Sequence, residues 1–104
     1  GSEMCIRDRI NFKYDLTRSE YEQAADQLAG FFAELSGLRW KVWILNEAES
    51  EAGGVYLFED QDSMQSFLTG PLAAQVQGHP ALRDFSVKTF EVMESPTATT
   101  RGPV

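Results

Sequence analysis

From Ile10 to Leu16 the chain reads INFKYDL, and apolar and polar residues alternate without a break. Ile10, Phe12, Tyr14 and Leu16 fall on one side, the pattern of a half-buried strand. The period then changes. Tyr21, Ala24, Ala25, Leu28, Phe31, Phe32 and Leu35 recur at helical spacing and form one apolar stripe. Thr17 with Glu20 three residues on predicts a capping box at the helix start, and Gly37 predicts a left-handed close at its end. A second strand is predicted from Leu38 to Leu45. Leu38, Trp40, Val42 and Ile44 make one face wholly apolar, while Arg39, Lys41, Trp43 and Leu45 lie opposite. Both faces of this strand are therefore expected to be partly covered. Asn46 to Gly54 reads as a hairpin connection, with Gly53-Gly54 supplying positive φ or a bulge before a third strand over Val55–Glu59. Asp60 or Asp62 is placed to cap a second helix whose apolar face is Met64, Phe67, Leu68, Leu72 and Val76. Gly70-Pro71 predicts a break in it, and Gly78-His79-Pro80 its end. A fourth strand is predicted over Phe85–Met93.

The order β-α-β-β-α-β, with right-handed crossovers placing both helices on one side, predicts an α+β, ferredoxin-like sandwich. One face of its four-stranded sheet is left bare. Trp43 and Leu45 are expected there, with Trp40 beneath the helices, since residues three apart on a strand face opposite ways. A bare apolar face of that size predicts a homodimer packed sheet against sheet. Residues 10–94 are read as one domain and 95–104, SPTATTRGPV, as a flexible tail. Residues 1–9, GSEMCIRDR, are expected to be a non-native or disordered extension. Gly-Ser is a familiar cloning remnant, and EMCIRDR resembles the translation of a sequencing adapter.

Composition narrows the functional classes. A net charge of −7 argues against nucleic acid and against an anionic membrane surface. No apolar run approaches the ~20 residues that a membrane-spanning helix needs. Cys5 is the single cysteine, so no intrachain disulfide can form, which fits a reducing, cytoplasmic compartment. One cysteine and one histidine do not supply the usual zinc ligand sets, and no metal is expected. No nucleophile motif or phosphate loop is present. Gly53-Gly54 precedes a strand rather than a helix and is not a dinucleotide fingerprint. His79 has the one side chain type that titrates near neutrality unperturbed, although its place at a helix end beside Pro80 also suits a capping role. Tyr56 suits core, interface or hydrogen-bond donation to a ligand. Glu47, Glu49 and Glu51 read as a solvated acidic loop, and Lys88 as a steering charge or half of an ion pair.

The segments WKVW, EAGGVYLFED with Ser63 and Phe67-Leu68 downstream, and VKTFEVME resemble the YdhR-type monooxygenase family. That family belongs to the antibiotic-biosynthesis-monooxygenase-like group of dimeric α+β barrels. The resemblance covers about residues 10–95. It implies a homodimer of ferredoxin-like protomers that holds a small aromatic substrate between sheet and helices and oxidises it with O₂, without flavin, haem or metal. An electron-rich phenolate or enolate can itself reduce O₂, so such a protein need only bind, deprotonate and exclude water. On this reading Phe12, Tyr14, Phe32, Trp40, Trp43, Phe58 and Phe67 are the substrate-binding candidates. Tyr56, as hydrogen-bond donor, and His79, as base, are the catalytic candidates. No cofactor is expected. The competing readings are a small-molecule-binding dimer without activity, or another reaction on the same barrel, such as isomerisation, decarboxylation or haem degradation.

Overall fold

The structure is a computed structural model, and it describes residues 6–103. Strand β1 (Ile6–Tyr14) leads into helix α1 (Arg18–Ala33) and strand β2 (Leu38–Asn46). One turn of 3₁₀ helix (Glu47–Glu49) connects β2 to β3 (Glu51–Phe58). Helices α2 (Gln61–Leu68) and α3 (Pro71–Gln77), strand β4 (Leu82–Glu91) and a short helix α4 (Glu94–Thr99) complete the chain. The sheet order is β2-β3-β1-β4, antiparallel throughout. This is the expected ferredoxin-like α+β sandwich, in which each crossover skips one strand. Among the described residues no helix is long and apolar enough to cross a membrane.

Local chemistry explains the element ends. Thr17 and Glu20 form the capping box reciprocally: the Glu20 N–H donates to Thr17 Oγ1 at 3.1 Å and the Thr17 N–H donates to Glu20 Oε1 at 2.9 Å. Asp60 caps α2 by accepting from the Ser63 N–H at 2.8 Å. The break expected at Gly70-Pro71 separates α2 from α3, with Pro71 opening α3 where its missing N–H costs nothing. Gly37 has the left-handed φ of 81° that the turn into β2 requires.

Four features differ from the sequence reading. β1 starts at Ile6, because the inward alternation continues backwards through a polar residue, Asp8. Asp8 is fully buried, and its Oδ1 accepts from Thr89 Oγ1 at 2.8 Å. Burial pushes its carboxyl above the usual range. Residues 1–5 of the expected extension, Cys5 among them, lie outside the described residues. Second, Gly53-Gly54 lies inside β3, and neither residue has positive φ. The two matter because they lack a Cβ: one on Gly53 would overlap the Ile10 carbonyl oxygen of β1. Third, α4 occupies part of the expected tail. Fourth, β2 carries a bulge at Arg39. Leu38 pairs with Phe58, but Trp40 already pairs with Leu57.

That bulge inverts the rest of β2, because one extra residue reverses side-chain parity. Leu38 faces the helices, and beyond the bulge so do Lys41, Trp43 and Leu45. Trp40 and Val42 face the bare side. The expected placement of the two indoles is thus exchanged.

Candidate functional site

The core between sheet and helices is built from rings. Phe32 of α1 packs edge-on to Trp43 at 5.4 Å and lies 5.9 Å from Tyr56 and 5.7 Å from Phe67. Phe12 of β1 meets Phe85 of β4 at 5.2 Å and Tyr21 of α1 at 6.1 Å. Between these groups lies an apolar cavity of about 70 Å³, partly open to the surface. The sheet forms its floor, α1 one wall, and the broken pair α2 and α3 the other.

Six of the nine sequence candidates line this cavity: Phe12, Phe32, Trp43, Tyr56, Phe67 and His79. The other three do not. Phe58 is fully buried against Tyr56 and Phe67. Tyr14 stacks at 5.1 Å on Tyr21, which lines the cavity, and is not itself part of the lining. Trp40, on the opposite face of the sheet, lies under the Arg7 guanidinium at 5.1 Å and donates from Nε1 to the Pro103 carbonyl at 2.7 Å. Its indole N–H is thereby satisfied by backbone.

The two expected catalytic groups differ in setting. Tyr56 is buried, and desolvation, then Tyr21 and Asp8, push its phenol well above 10.0, so it is a hydrogen-bond donor at neutral pH. Tyr21 is pushed up to about 12, mainly by burial. His79 stands exposed at the cavity rim, and its Nδ1 accepts from the Ala81 N–H at 3.1 Å. That is a local turn contact after the end of α3 rather than a helix cap, and it leaves Nε2 for any other partner.

The residue that sequence reasoning missed is Lys41. The bulge at Arg39 turns it inward beneath α1. Its Nζ lies 3.3 Å from the centroid of the Trp43 ring, 3.5 Å from Phe32 and 4.7 Å from Tyr56. Gly54 of the neighbouring strand makes room for the stem, since a Cβ there would stand 2.6 Å from Lys41 Cε. Desolvation brings the amine down from 10.5 to about 7. Lys41 forms no salt bridge among the described residues. Among those residues no group of three or more His, Cys, Asp and Glu side chains is placed to hold a metal ion.

The bare face of the sheet is chemically divided. Val42, 52% exposed, and Val55 make its β2–β3 half apolar, while Leu57 beneath them is fully buried and Trp40 is bonded to the C-terminal segment. Arg7, Arg9, Lys13 and Lys88 make the β1–β4 half basic, with Phe90 among them at 49% exposed.

Residues 9–103 match the family described as "Putative mono-oxygenase ydhR". Comparison with curated proteins returns no match. Among solved structures, a protein of unknown function from Nitrosomonas europaea superposes with a TM-score of 0.75 at 15% identity, over 91% of this chain and 95% of that one. SnoaB, a cofactor-independent oxygenase from Streptomyces nogalater, superposes with a TM-score of 0.71 at 16% identity, over 88% and 96%. The heme-degrader MhuD from Mycobacterium tuberculosis, with two hemes in its active site, gives 0.67 at 19% identity, over 85% and 95%. At such identities the likeness is one of fold.

Proposed function

We propose that this chain, which belongs to the ydhR mono-oxygenase family, is a cofactor-independent monooxygenase that oxidises an aromatic or enolisable small molecule with O₂. The observation that carries this reading is the ring-walled cavity beneath the helices, apolar but for a few polar groups, which suits a flat, electron-rich guest. In the reaction a CH₂ activated by adjacent rings and a carbonyl becomes C=O. One oxygen atom of O₂ enters the product and the other leaves as water with the two hydrogens. The electrons come from the substrate's own enolate or phenolate. The protein's share is to orient the guest, take a proton and keep bulk water out.

The cavity volume sets a condition. A ~150 Å³ apolar cavity is the size known to accept benzene, and the space here is about 70 Å³. A fused-ring substrate therefore enters by displacing part of the wall. The break at Gly70-Pro71 makes α3 a short element joined to α2 by a hinge. Oxygen uptake by chelator-treated, flavin-free protein with a panel of anthrones and hydroquinones tests the reading. Enzyme-dependent consumption supports it. Its absence across the panel, with binding retained, favours a binding protein without activity.

We further propose that the protein is a cytoplasmic homodimer joined through the bare sheet face. The exposed Val42 and Phe90 on that face support this, at 52% and 49% exposed. Light scattering on a size-exclusion column tests it, and a lasting monomer at micromolar concentration contradicts it.

A further inference from the structure

We propose that Lys41 is a catalytic residue of this site, its amine taking the proton from the acidic C–H or O–H of an enolisable aromatic substrate. The inference rests on the oxygenase reading above. The step is a simple transfer: the substrate C–H or O–H bond breaks, its electron pair stays on the substrate as enolate or phenolate, and an N–H bond forms at Nζ. The product pair is an ammonium and an enolate side by side.

Three observations converge. Lys41 supplies the lone primary amine of the cavity lining, and it is held there by a bulge and by the missing side chain of Gly54. Its Nζ lies against the faces of Trp43, Phe32 and Tyr56. Ring faces stabilise a cation, so the acceptor is better solvated after the proton arrives than an amine in plain hydrocarbon. No carboxylate pairs with it among the described residues, so no neighbouring anion holds it in the protonated form.

The other titratable groups around the cavity fit different roles. Tyr56 from β3 and Tyr21 from α1 stay protonated, because burial raises both phenols. They can donate to an enolate oxygen but cannot accept its proton. His79, after α3, has Nδ1 engaged and lies at the exposed rim. Asp8 of β1 bonds to Thr89, and burial favours its protonated form. The parts of α2, α3 and β4 that face the cavity bring no charged side chain to it. Lys41, with its amine near pH 7 by desolvation, is the acceptor that remains.

The test separates this role from the reading beneath it and from a structural one. Lys41→Arg keeps the charge and cannot act as a base. Lys41→Met keeps the unbranched stem. Binding of 1,8-dihydroxyanthrone is measured by equilibrium dialysis without oxygen, and its ionisation by the visible absorbance of the anion. In the wild-type protein the bound anthrone should ionise at neutral pH. In Lys41→Met it should bind but stay neutral. With air admitted, kcat should fall by roughly 100-fold in both variants, the lower range for loss of a general base. In parallel, trace acetylation of the three lysines, Lys13, Lys41 and Lys88, followed by peptide mass spectrometry, should give Lys41 the lowest titration midpoint. Ionisation of the anthrone by Lys41→Met as by wild type overturns the proposal, and so does a Lys41 that titrates together with Lys13 and Lys88. Failure of the wild-type protein to bind any anthrone overturns the oxygenase reading itself, and this inference with it.

Discussion

A lysine enclosed by rings should make the folded protein less stable in acid than its shape alone would dictate, and replacing that lysine should reveal by how much. The unfolded chain holds the Lys41 proton until about 10.5, the folded chain only until about 7. Between those values the unfolded state binds more protons, so stability rises with pH across the window, by up to about 1.4 kcal/mol per pH unit for one group. Below the window the folded state carries the whole penalty. The interval from 10.5 to about 7 corresponds to about 5 kcal/mol of desolvation. Lys41→Met removes the titrating group and keeps the apolar stem. The variant should therefore be more stable than wild type at pH 6 by up to about 5 kcal/mol, with the advantage shrinking towards zero near pH 10. Urea denaturation of both proteins at intervals from pH 6 to 10 measures the difference directly, and contributions common to both cancel. Parallel stability profiles would refute the reasoning, because they would mean that Lys41 keeps its solvation in the folded state.

Three further outcomes follow from the packing. Gly53→Ala should lower the urea midpoint, at a cost of about 1–3 kcal/mol for overpacking, because its methyl would meet the Ile10 carbonyl of the neighbouring strand. Thr17→Ala should cost about 1 kcal/mol by removing the capping box, with little effect on any activity at the cavity. Trp43→Ala should abolish anthrone binding and cost about 3–5 kcal/mol, whereas Trp40→Phe should leave binding and turnover intact. Dialysis and oxygen uptake on the two tryptophan variants check the pair, and equal loss in both would contradict the exchanged placement of the indoles.

The elements of this fold were legible because they obey local rules. The strand alternation from Ile10, the helical stripe from Tyr21, the Thr17–Glu20 box and the Gly70-Pro71 break all reappear in the structure. What escaped was non-local. The bulge at Arg39 leaves no mark on the alternation of β2, since residues on both of its faces are apolar, and it reverses the sides of Trp40 and Trp43. Lys41 was passed over for the same reason, as one more polar residue on a half-solvated face. A signal did exist: across the hairpin it faces Tyr56 and Gly54, with no acidic residue to receive it. Asp8 hid the true start of β1, because a carboxylate interrupts an apolar period even when Thr89 meets it from the neighbouring strand. Gly53 and Gly54 looked like turn residues when their purpose is close approach between strands.

The exchange of the two indoles has a practical use. One sheet separates two fluorophores whose surroundings are unrelated: Trp43 among rings beside the Lys41 amine, Trp40 bonded to the chain's own C-terminal segment under an arginine. Each is blind to events on the other's side. With one indole replaced by phenylalanine, emission from the remaining one reports either the arrival of a guest or the lifting of the C-terminal segment.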